Sequence, residues 1–299
     1  GLTGTAVTDT VAIGNILIPN MKEKGYGAGY SAAVTGASSV IGPIIPPSLI
    51  MIVYASMFEE VSVISMFAAG IVPGILIGSA LLLVSTLIST KRNYPKEKAY
   101  NFKEILKSAK EAIWALMTPI IILGAILAGI TTVTEAGALA AFYSLIVGVF
   151  VYKGLTWEDI INSLKNTVVL SGVVFFLIGT ANILGWLVTY TGFTKMLGNT
   201  MMSITSSTIL QLLMVNVLFL IVGMFLDIGP AVVILAPIVT PIMLEMGFDP
   251  LHFAIIMMVN VNIGNATPPM GMTLMVGSQI AEIPYEKAIK EVLPFIAAE

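Results

Sequence analysis

Stretches 25–58, 61–90, 112–134, 136–152, 166–194, 196–226, 228–244 and 250–281 contain no Asp, Glu, Lys or Arg. About 20 apolar helical residues cross a bilayer core of roughly 30 Å. Most of these stretches reach that length, with 136–152 and 228–244 marginal. The pattern predicts a re-entrant or half-span at 5–20, then spans at 28–56, 63–90, 112–130, 137–152 and 166–188. A re-entrant pair follows at 206–225 and 230–245, then a span at 252–278 and a final one from 284. Three shorter stretches are amphipathic. In 100–111, Phe102, Ile105, Leu106 and Ala109 share a face; in 155–165, Trp157, Ile160, Ile161 and Leu164 do so, and 284–292 is similar. Helices of this kind lie in the interface plane, either as connectors or as braces between a moving body and a static one.

Composition strengthens this picture. Of 299 residues, 57% are hydrophobic and 10% charged, with a mean hydropathy of +0.97, whereas soluble domains carry about a quarter charged residues. A membrane protein is the only class that fits. With no cysteine, disulfides and thiolate metal sites are excluded, and no basic patch of nucleic-acid type occurs. The basic residues cluster at Lys22 and Lys24, from Lys91 to Lys110, at Lys153 and Lys165, and at Lys287 and Lys290, with Lys195 the outlier. On the predicted trace 13 of 14 fall on one side, which the positive-inside rule makes cytoplasmic. Glu59, Glu60, Glu135, Glu245 and Asp249 fall opposite, and Trp114 and Trp186 lie near span ends. The chain begins without Met and ends within an apolar helix, so both ends read as cuts in a longer polypeptide.

An internal repeat sets the class. Residues 19–56 align with 241–278 at a constant offset of 222, without gaps, with 10 of 38 positions identical. The matches include Gly25/Gly247, Gly42/Gly264, Pro46/Pro268 and Pro47/Pro269. The trace places Glu23 inside and Glu245 outside, so the copies run in opposite directions. Proline removes a backbone donor and breaks a helix, so Pro43, Pro46 and Pro47, and likewise Pro268 and Pro269, interrupt spans in mid-membrane. Lipid cannot satisfy the freed amides and carbonyls; cations, solute or facing protein must. Opposed repeats with interrupted helices point to the midplane site of a secondary transporter. The predicted fold is therefore an all-α polytopic membrane protein with inverted repeats, re-entrant hairpins and discontinuous helices.

Polar residues gather at the breaks: Ser38, Ser39 and Ser48 at the first, Asn260, Asn262, Asn265 and Thr267 at the second. Each break is paired with a polar turn, Thr3 to Asp9 and Asp227-Ile228-Gly229-Pro230 respectively. Asp227 is the only charge between 196 and 244; an intramembrane carboxylate is a functional candidate, here a cation ligand or a cap of the following helix. Asp9 is a cap or a cation ligand. An oxygen-rich donor set suits a hard cation such as Na+ and not a transition metal. His252, the single histidine, reads as an interfacial residue.

Four segments carry a resemblance to a known family: Gly4-Thr5-Ala6-Val7-Thr8-Asp9; Gly36 to Ser48; Gly129 to Ala136; and Asn262-Ile263-Gly264 leading to Thr267-Pro268-Pro269-Met270-Gly271. They resemble the large membrane subunit of the tripartite ATP-independent periplasmic (TRAP) transporters, over essentially the whole chain. The family's subunit is longer, so an N-terminal region with scaffold helices and the start of the first hairpin is expected upstream. The resemblance implies an elevator-type, Na+-driven importer of organic acid anions in the bacterial inner membrane, not an enzyme. It also implies a small membrane subunit, separate or fused, and a periplasmic substrate-binding protein. On it, 1–60 forms the first transport-domain repeat and 61–200 scaffold and connecting spans. Residues 201–280 then form the second repeat, and 281–299 the start of a C-terminal span. Extrapolated onto this chain, one Na+ site takes Thr5, Thr8, Ser38, Ser39 and Gly42. The other takes Asp227, Gly264, Asn265 and Thr267, and the solute lies near Ser38, Ser48, Asn262 and Asn265.

No Lys or Arg lies within a span, so an anionic solute must rely on half-helix N-termini, hydroxyl and amide donors, and bound Na+. A carrier working without a binding protein shares this physics. A channel lacks its acidic rings, and an embedded enzyme lacks its catalytic groups. Sialic acid, C4-dicarboxylates and other keto or hydroxy acids all fit.

Overall fold

The computed structural model describes residues 4–95 and 102–299; Thr3, Lys96 and Lys98, which entered the charge and motif readings, lie outside them. Helix α1 spans Ala6–Glu23. A turn at Gly25, with φ of +87°, leads to α2, Ala28–Ser38. A 3-10 turn over Ser39–Ile41 and an irregular stretch then interrupt the path before α3, Leu49–Met57. Helix α4 follows at Val63–Lys91, α5 at Phe102–Leu127 and α6 at Val133–Ile146, the last continued by a π-helical turn to Val151. Next come α7, Trp157–Tyr190, α8, Phe193–Ile204, and α9, Thr208–Phe225. Helix α10 spans Ile228–Glu245 and α11 spans Pro250–Ala266. After a second interruption, α12 covers Met272–Ile280 and α13 Tyr285–Ile296.

Six helices among the described residues are long and apolar enough to cross a membrane: 63–91, 103–126, 133–151, 157–188, 208–225 and 228–245. The interrupted helices are absent from that set because each half is too short, as the proline pattern predicts. Two expectations need correction. The amphipathic stretches 100–111 and 155–165 are not separate interfacial helices. Where described, they are the first turns of α5 and α7. No Gly or Pro separates them from the apolar run that follows, so the i→i−4 ladder simply propagates. Helix α8 occupies residues that the predicted trace leaves unassigned between 188 and 206.

The repeat appears in local geometry. Helices α1 and α10 are each 18 residues long, begin 222 positions apart and contain Pro19 and Pro241 at matching places. Gly25 and Gly247 share a φ of +87°, a conformation that glycine adopts without penalty. Helices α2 and α11 start at equivalent positions, 28 and 250, as do α4 and α13, at 63 and 285. The Pro46–Pro47 and Pro268–Pro269 peptide bonds are both cis.

Two compact units divide the chain: Gly1–Pro95 with Leu177–Glu299, and Lys96–Phe176. In the first, packing is reciprocal between the copies. Helix α1 lies on α2 of its own copy and on α12 of the other; α10 lies on α11 of its own copy and on α3 of the other. The flanking helices also cross over, α4 against α11 and α13 against α2. One buried cluster joins the two interrupted paths through Val40, Ile44, Ile263, Ala266 and Leu274. Backbones approach closely where side chains vanish: a Cβ on Gly264 would lie 2.7 Å from Gly223 Cα, so α9 and α11 pack glycine to glycine, a habit of membrane helices.

The second unit is a helical array whose α5 and α6 are linked by Tyr143 donating to the Trp114 carbonyl at 2.9 Å and Tyr152 to the Glu111 carbonyl at 3.0 Å. Leu139, Phe142, Phe150, Phe175 and Phe176 are exposed, an apolar surface that needs hydrocarbon or a protein partner.

Candidate ion and solute site

At the first break the turn before α1 presses against the start of α3. A Cβ on Gly4 would lie 3.0 Å from the Pro47 carbonyl oxygen and 3.1 Å from the Leu49 amide nitrogen. One turn into α1, Asp9 is buried, with Oδ2 so close to Gly42 that any Cβ there would overlap it. Glycine at 42 is therefore what admits the carboxylate. Asp9 is the fourth residue of α1, and the N-cap position of that helix is held by Thr5. Thr8 is exposed, whereas Ser39 is buried and Ser38 exposed. Both serine hydroxyls donate to the Thr35 carbonyl, at 2.8 Å for Ser39 and 3.2 Å for Ser38. With the proton spent on a carbonyl, a hydroxyl oxygen offers only lone pairs. Ser48, also predicted to touch solute, is fully buried and N-caps α3, accepting from the Met51 amide at 3.4 Å.

At the second break Asp227 occupies the N-cap position of α10, yet its side chain makes no cap bond. Its Oδ1 instead accepts from Asn265 Nδ2 at 2.8 Å. This joins the polar turn to the end of α11. Asn265 is fully buried, and its own Oδ1 has no hydrogen-bond partner. Asn262, also fully buried, donates to the Met258 carbonyl at 2.9 Å and likewise leaves Oδ1 without a hydrogen-bond partner. A buried acceptor left bare costs about 1–3 kcal/mol, so both amide oxygens call for a donor or a cation. Thr267 donates to the Ile263 carbonyl at 2.7 Å, which leaves its oxygen a pure acceptor as well. Gly264 acts as the contact with α9, and its carbonyl accepts from the Thr267 amide at 2.8 Å.

Each break thus gathers a carboxylate and acceptor-only oxygens from its own copy. Of the predicted set, Ser39, Gly42, Asp227, Asn265 and Thr267 lie at the two breaks, and Thr8 lies on the exposed face of α1. Asn260 departs from its grouping with the second break, because it reaches sideways to Asn216 of α9 and the Ile256 carbonyl. It joins two helices instead. Pro43 and Pro46 are buried within the first interruption, and Pro268 and Pro269 form the second. A cleft of about 530 Å³ between α4 and α11, lined by Val72, Leu76, His252 and Ile255, reaches Asn260 but none of the residues predicted to bind ion or solute.

Six apolar membrane-length helices among the described residues, and two interrupted ones with polar clusters at the breaks, describe a multi-pass membrane protein. The family model described as "Tripartite ATP-independent periplasmic transporter, DctM component" matches residues 1–299, and the chain belongs to that family. It is 42% identical, over 99% of its length, to the isethionate TRAP transporter permease protein DctMQ of Oleidesulfovibrio alaskensis, covering 47% of that protein. It is 35% identical to the 2,3-diketo-L-gulonate TRAP transporter large permease protein YiaN of Escherichia coli, over 99% of the chain and 69% of the relative. The sialic acid TRAP transporter large permease protein SiaM of Vibrio cholerae gives the same figures of 35%, 99% and 69%.

Proposed function

We propose that this chain is the solute-moving part of a TRAP large permease of the bacterial inner membrane, coupling Na+ entry to uptake of a small organic acid anion by an elevator motion. The observation that carries this is the pairing of a carboxylate with a helix break in each copy, Asp9 at Gly42 and Asp227 at Asn265. A buried carboxylate at Asp9 and a half-buried one at Asp227, each among acceptor-only oxygens, favour a hard cation, and neither break carries a Lys or Arg in its own sequence. The reciprocal packing of α1 and α10 on each other's second half-helices supports a two-fold relation between the copies. The distribution of lysines supports an inverted one.

Helices α3 and α12 each begin at the exit of a break. Their first-turn amides can receive a carboxylate or sulfonate, and bound Na+ strengthens that field. Solute affinity then depends on sodium, a coupling that requires ligand states to bind differently. The names of the relatives point to isethionate, 2,3-diketo-L-gulonate, sialic acid or C4-dicarboxylates as the class of solute. Partners on this reading are a small membrane subunit, fused in relatives of DctMQ type, and a periplasmic binding protein.

Proteoliposome uptake tests it. The full-length permease with its small subunit takes up one of these acids only when Na+ and the binding protein are both present, and Asp227→Ala abolishes uptake. Uptake that persists with choline in place of Na+ overturns the coupling. Uptake without the binding protein assigns the chain to carriers that work alone.

A further inference from the structure

Helix α13 reaches the second break through one polar contact. The Tyr285 hydroxyl donates to the Met270 carbonyl at 2.6 Å. Met270 belongs to the second break, where the main chain leaves α11 and has not yet entered α12. Next to it, Gly271 has a φ of +48°. A Cβ on Gly271 would lie 3.0 Å from the Tyr285 oxygen and 3.1 Å from the carbonyl oxygens of both Ala266 and Thr267. The phenol therefore enters the concave side of the break, among carbonyls released by the end of α11. From the other side, the Gly271 amide donates to the Met224 carbonyl of α9 at 3.4 Å, three residues before Asp227. The exit of the second break is held between the polar turn and α13.

Helix α13 can hold it because it is itself anchored. Ala288, Val292 and Phe295 are fully buried against α2, and Glu291 pairs with Arg92 at 2.7 Å just beyond α4. The first copy has no such device. The position equivalent to Tyr285 is Val63, which has no hydroxyl, and the Ser48 carbonyl, equivalent to that of Met270, accepts weakly from Ile52 at 3.3 Å.

We propose that Tyr285 is a positioning residue of the second break, fixing the Met270 carbonyl so that Asn265, Thr267 and the N-terminus of α12 keep their mutual geometry. The transport part of this inference rests on the reading of the breaks as the ion and solute site. Tyr285→Phe keeps the ring and deletes the donor. In the full-length protein, hydrogen–deuterium exchange at the amides of Gly271 and Met275 rises about two- to tenfold, the range of one net hydrogen bond. Exchange within 288–295 stays at the wild-type rate. In proteoliposomes the half-saturating Na+ and solute concentrations rise by a similar factor while maximal velocity is kept, a split that general loss of folded protein does not produce. Unchanged exchange at the break overturns the contact, and unchanged half-saturation in a Na+-dependent wild type overturns the positioning role. If the wild type itself ignores Na+, the reading of the breaks fails, and the exchange measurement alone decides whether Tyr285 holds the break.

Discussion

The carboxylate of Asp227 stands where it could cap α10, and it turns away to take the amide of Asn265. That choice separates charge from hydrogen bonding in an experiment. Asp227→Asn keeps an acceptor oxygen for Asn265, so thermal stability stays near wild type while Na+-driven uptake falls by about tenfold or more, as expected for losing a charged partner. Asp227→Ala strips the buried amide of its acceptor and destabilises by about 1–3 kcal/mol, seen as a lower melting temperature in detergent. Equal melting of the two variants would deny the Asn265 bond. The lone charge at 227 was legible in sequence and the resemblance grouped it with Asn265 in one site, but a direct bond between side chains 38 residues apart was not legible. At the first break the reading took Thr8 as an ion ligand and left Asp9 as a cap or a cation ligand; the structure exposes Thr8 and buries Asp9. Adjacent residues point about 100° apart around a helix, and composition alone does not fix the rotation of α1.

Among the elements, the interruptions were the most legible feature, since proline acts on its own backbone whatever surrounds it. Helix continuity was harder to read. The charged turns that open α5 and α7 looked like independent interfacial helices because an amphipathic face was mistaken for a boundary. Without a Gly or Pro stop the helix runs on. Helix α8 falls in a stretch to which the predicted trace gave no element. Close glycine packing between α9 and α11 is likewise silent in sequence until both helices are placed. Gly264→Ala forces its methyl to within 2.7 Å of Gly223 Cα and the Leu220 carbonyl oxygen, an overpacking of about 1–3 kcal/mol. The melting temperature should drop by several degrees. Gly172→Ala, whose methyl meets nothing within 4 Å, is the matched control and should melt like wild type. Equal loss in both would remove the significance of the α9–α11 contact.

For the whole molecule, the bare amide oxygens of Asn262 and Asn265 make a prediction that needs no transport assay. A cation that fills them binds the folded state alone and stabilises it, by about 1.4 kcal/mol at ten times its dissociation constant. Melting in NaCl should therefore exceed melting in choline chloride at equal ionic strength, with saturating dependence on Na+. A transition indifferent to the cation would argue that water satisfies these oxygens. Class and membrane character were readable from charge-free length alone. Solute identity was not, because on the proposed reading main-chain dipoles bind the anion, and dipoles carry no residue signature.

Reciprocal packing also governs how the two halves can drift apart. Gly36 of the first copy lies against the backbone of Leu274 in the second, where a Cβ would come within 3.2 Å of it, and Gly277 meets the Ala32 carbonyl in the same way. A bulky replacement in one half is thus answered by its neighbour in the other half, not by its own counterpart in the alignment. Once duplicated, such halves diverge freely in sequence yet remain tied in shape, each serving as the mould of the other.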